Sequence, residues 1–228
     1  MLKKLIHNVK RCARKWRGRV DYLFRRKEIS FLKERITPPN GPHCSIFSMN
    51  CFGGHIYQDF KIPYESPTAG LFFFAEDFCS ILEDMSILKR NIVFLPKSKW
   101  KRVNERMSTR EHPYPIGCFE GTDIEIQFLH YRTEKEALDK WQRRLQRFNF
   151  DHFLAIGFQQ NECTKETIER FEKIDIPNKV FFTNWDMKLP HTIFTPEFKD
   201  RKSSPDPYKY VNTYYRYLVD YLKKNPLK

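Results

Sequence analysis

The sequence predicts an α/β fold, a three-layer α/β/α sandwich around a largely parallel or mixed sheet, preceded by a basic amphipathic N-terminal helix. Through the second half of the chain, short apolar runs alternate with amphipathic helical segments, which is the pattern of strand–helix–strand units. At the beginning, residues 1–35 carry 13 Lys or Arg and three acidic residues, whereas the remainder is nearly balanced. The 228 residues, of which 16% are aromatic, suffice for one folded domain with a sizeable core.

Residues 1–36 are predicted to form a cationic arm. In the stretch MLKKLIHNVKRCARKWRGRVDYLFRRK, apolar residues recur every three or four positions, with Lys and Arg between them. Such a helix can lie on an anionic membrane, where each basic residue contributes about 1 kcal/mol, so residues 1–30 are predicted to contact the membrane surface. The alternatives are packing on the chain's own domain and binding to another anionic polymer. Nucleic acid is disfavoured as a partner, because the body of the chain is nearly neutral and contains no recognised binding motif.

The stretch TPPNGPH, residues 37–43, is predicted to be a linker, so that a single α/β domain occupies residues 44–228. The first half of that domain is predicted to contain a strand at CSIFSM (44–49), a turn and short helix after it, buried strands at GLFFF (70–74) and NIVFL (91–95) on either side of a helix, and a long loop over residues 96–118.

The second half has clearer signals. A predicted strand, DIEIQFLH (123–130), precedes a helix over residues 133–148 that opens with a capping box between Thr133 and Glu136. The remaining predicted elements are the strand HFLAIGF, a helix capped by Thr164, the strands KVFFT and HTIFT, and a last helix that begins at Asp206-Pro207.

The cysteines and the chain's beginning indicate a cellular compartment. The six cysteines are scattered without Cys-x-x-Cys spacing, so they are expected to be reduced thiols, and no metal site is predicted. His55 follows Cys51 by one helical turn, but no second pair of ligands accompanies them. Neither a secretory signal nor a run of about 20 apolar residues is present. We therefore expect the chain in the cytoplasm, or at the inner face of the membrane through its arm.

A Gly-Gly pair stands in the stretch SMNCFGGHIYQDF, in a chain with only eight glycines. In doubly wound sheets, ligands bind at the carboxyl ends of strands, where the chain turns into a helix. Gly53 and Gly54 are therefore predicted to form a tight turn at positive φ that receives an anion or a developing oxyanion, with Phe52 beside them. The helix that follows is expected to lower the pKa of the Cys51 thiol.

Three side chains are predicted at the reacting centre. Cys51 and Asn50 precede the glycines, and His130 ends the strand IEIQFLH, so that both strands should bring their side chains to one sheet edge. His130 would then act as the general base. Cys51 could instead be a small buried side chain, and His130 a hydrogen-bonded strand end. Asp123 and Glu125 could orient a histidine, although a solvated edge is the simpler interpretation.

Further residues are predicted to contact substrate. Arg143 and Arg144, on the helix over residues 133–148, could contact an anion or could form one side of an amphipathic surface. The predicted substrate contacts are Ser66, Thr68, Tyr131, Arg143 and Arg144.

A resemblance to a known family is carried by the stretches SMNCFGGHIYQDFKIPYESPTAGLFFFAEDF, YPIG, IEIQFLHYRTEKEALDKWQRR, CTKETIERFEKI and NKVFFT. Between about residues 44 and 195, the chain resembles a bacterial family known as domain of unknown function 1919, often labelled exopolysaccharide biosynthesis protein. The resemblance implies an α/β/α fold, a cytoplasmic location and a role in making capsule or exopolysaccharide. The family more often has Asn-Asn-Cys-Trp-Gly-Gly where this chain has Met49-Asn50-Cys51-Phe52-Gly53-Gly54, so the first Asn has no counterpart here.

Three functions are consistent with these observations. The first is an acyl (acetyl) transferase that acts on a sugar or lipid-linked glycan intermediate, with an acyl-CoA donor as its cofactor. The second is a glycosyl- or phosphosugar-transferase in which the glycine turn holds a phosphate. The third is a non-catalytic adaptor of the polysaccharide machinery, attached to the membrane through the arm.

Overall fold

A computed structural model describes residues 22–228 of the chain. In order, its elements are α1 (Arg26–Ile36), β1 (Ser45–Ser48), α2 (Phe52–Phe60), α3 (Ala75–Glu83), β2 (Ile92–Phe94), α4 (Lys101–Ser108), β3 (Ile116–Phe119), β4 (Glu125–Gln127), α5 (Glu134–Leu145), β5 (Phe153–Phe158), α6 (Lys165–Lys173), β6 (Lys179–Thr183), β7 (Thr192–Phe194) and α7 (Val211–Lys224). Short 3₁₀ helices at Met85–Lys89 and Pro196–Phe198 follow α3 and β7.

The main sheet has four strands in the order β1-β5-β6-β7, and every pairing in it is parallel. The strands β1, β5 and β6 are buried along their whole length, because helices cover both faces of the sheet. Side chains such as Ile156 pack with α1, α2 and α7 on one face. Side chains such as Phe181 pack with α3, α5 and α6 on the other. The predicted three-layer α/β/α architecture is therefore confirmed.

A second, antiparallel sheet, β2-β3-β4, lies outside this sandwich. In this region of the chain, three predictions were wrong. The predicted loop over residues 96–118 contains α4 and β3, and its prolines lie outside both elements. The strand predicted at residues 123–130 is β4, which belongs to this sheet and not to the parallel one. The strand predicted at residues 70–74 is reduced to one bridge, between Phe72 and Gln127.

The end of the predicted arm is part of the folded body. Helix α1 buries Ile29, Leu32 and Ile36 against the same cluster as α7, because its apolar residues recur at helical spacing. The core therefore begins well before residue 44. The predicted amphipathic helix over residues 1–21 lies outside the described residues.

The helix starts follow local capping chemistry. Thr133 and Thr164 cap α5 and α6 as predicted, each accepting a hydrogen bond from the amide three residues on. The last helix begins at Val211 and not at Asp206, because the Asp206 carboxylate accepts a hydrogen bond from the Tyr208 amide and closes a turn there. Within residues 22–228, none of the helices combines the length and the apolar character needed to span a bilayer.

Candidate active site

A cavity of about 930 Å³ opens at the carboxyl ends of β1 and β5. Its walls come from the β1–α2 turn, the loop over residues 64–72, the cation-bearing faces of α4 and α5, and the loop over residues 203–208. This is the sheet edge at which the sequence placed the site. The antiparallel sheet supplies Leu129 and His130 to the same space, since His130 donates its backbone amide to the Gly70 carbonyl at 3.0 Å.

The lining of the cavity is strongly cationic. Arg102 and Arg106 reach it from α4, and Lys140 and Arg144 reach it from α5. Asp206 is the single carboxylate among the lining residues that the structure describes. The cavity therefore attracts anions.

Asn50 organises the β1 end of the cavity. Its side-chain oxygen accepts a hydrogen bond from the Phe52 amide at 3.0 Å, and its nitrogen donates to Gln160 at 2.9 Å. Gln160 in turn donates to the carbonyls of Ser204 and Pro205. Asn50 thus ties the ends of β1 and β5 to the loop over residues 203–208.

Gly53 and Gly54 do not form the predicted turn. Both lie in the first turn of α2, and among the described glycines only Gly70 and Gly121 have positive φ. A Cβ on Gly53 would lie 2.9 Å from Ile46 Cγ2, and one on Gly54 would lie 3.3 Å from Ala69 Cβ. The absence of side chains therefore lets α2 pack closely on its neighbours. Gly54 still lines the cavity at the amino end of the helix, where first-turn amides lack intrahelical partners.

Phe52 lines the cavity, but its ring is a core group. It is 1% exposed and meets Phe158 and Tyr215 edge to face. The Phe52 amide is already bonded to Asn50, so it is not free to bind an anion.

Cys51 faces the cavity with a protonated thiol. Burial, together with the charge of Asp206, raises the pKa of Cys51 to about 12, which overturns the expected lowering. The Cys51 Sγ contacts the Leu71 carbonyl oxygen at 3.6 Å. A thiolate nucleophile is therefore disfavoured at neutral pH.

His130 is an exposed side chain in the cavity that it shares with Cys51, as predicted. It does not reach the cavity from the parallel sheet, however, because β4 belongs to the antiparallel sheet. Within residues 22–228, no hydrogen bond joins the two side chains. Partial desolvation in the cavity and the nearby Arg110 lower the pKa of His130, whereas Asp206 raises it.

Neither carboxylate suggested for orienting a histidine reaches the cavity. Glu125 is buried and accepts hydrogen bonds from the Ser98 hydroxyl and the Lys99 amide. Asp123 is exposed and lies 3.6 Å from the Lys99 ammonium group. Both carboxylates therefore lie next to Lys99 and not in the cavity.

The predicted substrate contacts divide into two groups. Tyr131 and Arg144 line the cavity. Ser66 and Thr68 do not, because both are buried and bonded to each other at 3.0 Å, with Thr68 also accepting from the Ser48 amide. Arg143 is exposed outside the cavity, since it lies on the outer face of α5.

His55 also lies at the site, although its sequence position suggested only one half of a metal-ligand pair, and no metal site was predicted there. It lines the cavity, and its Nε2 lies 3.8 Å from Asp59. The Asp59 carboxylate is held by Arg25 at 2.9 Å and by the Tyr215 hydroxyl at 3.0 Å. The spacing of four residues between Cys51, His55 and Asp59 was the signal, because it places all three on one face of a helix.

One nitrogen of the His55 imidazole makes no hydrogen bond within the described residues. Its Nδ1 is buried and has no hydrogen-bond partner within residues 22–228. Burial lowers the pKa of His55, Asp59 opposes this effect and Arg25 adds to it, so the ring is neutral at pH 7. A neutral ring with Nε2 toward a carboxylate leaves Nδ1 as a proton acceptor.

In the described part of the chain, no group of three or more His, Cys, Asp or Glu side chains is placed to hold a metal ion. The cationic side chains are instead suited to the phosphate groups of a ligand or cofactor.

Comparisons with known proteins assign the chain to a family. The model of the family described as Domain of unknown function (DUF1919) matches residues 23–224. A protein of Haemophilus influenzae, described as an uncharacterized protein, is 30% identical over 141 residues, which are 61% of this chain and 61% of that protein. The chain thus matches about three-fifths of that relative's length. Since the family match extends from before α1 to the end of α7, the chain belongs to the DUF1919 family.

Proposed function

We propose that the chain is a transferase of capsule or exopolysaccharide biosynthesis whose cavity binds a phosphate-bearing sugar. The observation that carries this proposal is the lining of the cavity, in which four cationic side chains face one carboxylate. A neutral sugar needs no such charge, whereas a sugar phosphate or a nucleotide-linked sugar does. The volume of about 930 Å³ is in the range of ligand sites, roughly 300–1,000 Å³.

The chemistry supported best is glycosyl or phosphosugar transfer. In glycosyl transfer, a hydroxyl oxygen of the acceptor forms a bond to the sugar's anomeric carbon while the bond from that carbon to the phosphate oxygen breaks. The electron pair of the broken bond leaves on the phosphate, which the arginines and Lys140 stabilise. The hydroxyl proton passes to a neutral imidazole, and His130 is the better candidate acceptor because its side chain is exposed in the cavity, whereas Nδ1 of His55 is buried.

Acyl transfer is a second candidate, because Cys51 and His130 line one cavity and the phosphates of an acyl-CoA donor would suit its cations. The protonated thiol disfavours a covalent acyl-enzyme. Direct transfer avoids that step: a histidine removes the sugar hydroxyl proton, the oxygen attacks the thioester carbonyl, and CoA leaves as a thiolate that takes up a proton.

A thermal-shift panel on the full chain tests the proposal. We expect UDP-glucose, glucose 1-phosphate or related phosphate-bearing sugars to raise the melting temperature, and free glucose to leave it unchanged. The variant Arg106→Gln should reduce the shift, whereas Lys101→Gln, which removes a charge from the same helix outside the cavity, should not. Equal shifts with free glucose, or none with any phosphate-bearing sugar, would contradict the proposal. Acetyl-CoA in the panel tests the second candidate.

The membrane role of the arm, which the adaptor hypothesis also requires, is a separate part of the proposal. It is supported by the basic sequence before α1 and by Leu23 and Phe24, which are 65% and 77% exposed. Deletion of residues 1–21 keeps Arg25 and its bond to Asp59, so it is the suitable truncation for liposome co-sedimentation. Equal sedimentation of both proteins with anionic vesicles would exclude residues 1–21 as the anchor.

A further inference from the structure

Arg144 is a buried cation without a counter-ion. The residue is 6% exposed, and within residues 22–228 no carboxylate lies within ion-pair distance of it. Its guanidinium lies over the ring of Tyr64, 4.5 Å from the centroid. Burying a charge without a counter-ion is costly, and a bound anion would offset that cost.

The hydrogen bonds of Arg144 occupy one end of the guanidinium only. Nη1 donates to the Ala69 carbonyl at 2.7 Å and to the Tyr131 hydroxyl. Nε is buried without a partner, and Nη2 makes no hydrogen bond within the described residues. The N–H groups of Nε and Nη2 lie on the same edge of a guanidinium, and this edge binds two oxygens of an oxyanion side by side.

Lys140 adds a second charge one helical turn earlier. Residues four apart on a helix lie about 5–6 Å apart at Cβ, so both side chains serve one face of α5, and both line the cavity. Lys140 is paired with Glu136 at 2.5 Å, but its ammonium group has three donors and can bind a second anion.

We propose that Arg144 and Lys140 form an anion subsite that holds a phosphate group of a diphosphate ester. Two cations match the double negative charge of a phosphate better than they match the single negative charge of a carboxylate. This inference rests on the proposed function and deepens it, because it names the substrate group that α5 holds. Nucleotide-linked and lipid-linked sugars both contain a diphosphate, so both are substrates of the required chemistry.

Calorimetric titration of the full chain with inorganic pyrophosphate, at fixed ionic strength, tests the subsite. Arg144→Gln should weaken binding by about tenfold to a hundredfold and Lys140→Gln by about tenfold, because each removes a charge-assisted hydrogen bond. Arg143→Gln removes the neighbouring charge outside the cavity and should change the affinity by less than about twofold. If Arg144→Gln fails to fold, Arg144→Lys serves in its place. It should also weaken binding, because lysine keeps the charge but lacks the two parallel N–H donors of the guanidinium.

An NMR measurement locates the bound anion. The Nε–H resonance of Arg144 should shift during the pyrophosphate titration with the affinity found by calorimetry. The inference is overturned if millimolar pyrophosphate does not bind, if that resonance stays fixed at saturation, if folded Arg144 and Lys140 variants bind normally, or if malonate binds as tightly as pyrophosphate.

Two additional ligands separate this inference from the proposed function. UDP-glucose and geranyl diphosphate distinguish a nucleotide-linked from a lipid-linked diphosphate. Pyrophosphate binding without binding of any phosphate-bearing sugar would leave the subsite intact and refute the proposed function. If the Arg144 variants bind phosphate-bearing sugars as tightly as the unmodified protein does, the subsite is refuted and the proposed function is left intact.

Discussion

Replacing Arg25 by Met should destabilise the protein strongly. Arg25 binds both oxygens of Asp59, at 2.9 and 3.1 Å, and the two side chains are only 6% and 8% exposed. Removing one member of a buried ion pair costs about 3–5 kcal/mol, because the other charge stays buried. The Tyr215 hydroxyl still donates to Asp59 at 3.0 Å, and the methionine side chain keeps most of the packing, so we expect a loss near the lower limit, about 3 kcal/mol.

Urea denaturation followed by tryptophan fluorescence measures this loss. The matched control is Arg26→Met, which removes an exposed charge next to Arg25 and should change the free energy of unfolding by less than about 0.5 kcal/mol. A loss below about 1 kcal/mol at pH 7, with a cooperative transition, would refute the assignment of this pair as a buried structural ion pair.

The remaining predictions concern α2 and Cys51, the residue that precedes it. Gly53→Ala should lower the free energy of unfolding by about 1 kcal/mol, because an overpacking cost of up to about 3 kcal/mol exceeds the gain in helix propensity; a more stable variant would contradict this account of the glycine. Because burial lowers the pKa of His55, the ring binds a proton at a higher pH in the unfolded chain than in the folded protein. The protein should therefore lose stability as pH falls below about 6.5, and His55→Gln should show a shallower slope between pH 7 and 5 in the same assay, whereas an unchanged slope would exclude the effect. Iodoacetamide at pH 8 should alkylate Cys51 at least about a hundredfold more slowly than a free cysteine, as peptide mass spectrometry can measure, and rapid labelling would restore the thiolate hypothesis.

The sequence was sufficient for the parallel sheet, because strands covered on both faces become continuous apolar runs. Strands β5 and β6 are such runs, and both were predicted to within a residue. Helix α4 was missed because it buries only Val103 and so has no apolar periodicity to detect. The antiparallel sheet was missed as a unit because β2 and β4 have three residues each, too few to reveal which sheet they join.

The site could be predicted in position but not in chemistry. The strand-end rule located the cavity edge, and helix phase could have separated Arg144 from Arg143, since Ala137, Trp141 and Arg144 share the buried face of α5. The charge state of Cys51 and the bond from Arg25 to Asp59 depend on three-dimensional burial and on pairing between distant residues. No local pattern reports these quantities.

The pairing of β1 with β5 has a consequence for synthesis on the ribosome. Ser45 pairs with Phe153, and β1 is an edge strand without another partner in the described sheet. At about 5–20 residues per second, the strand β1, which is buried in the folded protein, remains without its partner for on the order of 5–20 s. Helix α1 waits longer, because it packs against α7 at the other end of the chain. The nascent chain thus exposes β1 until β5 has been translated, and α1 until α7 has been translated, so folding of this protein should depend on chaperones during its synthesis.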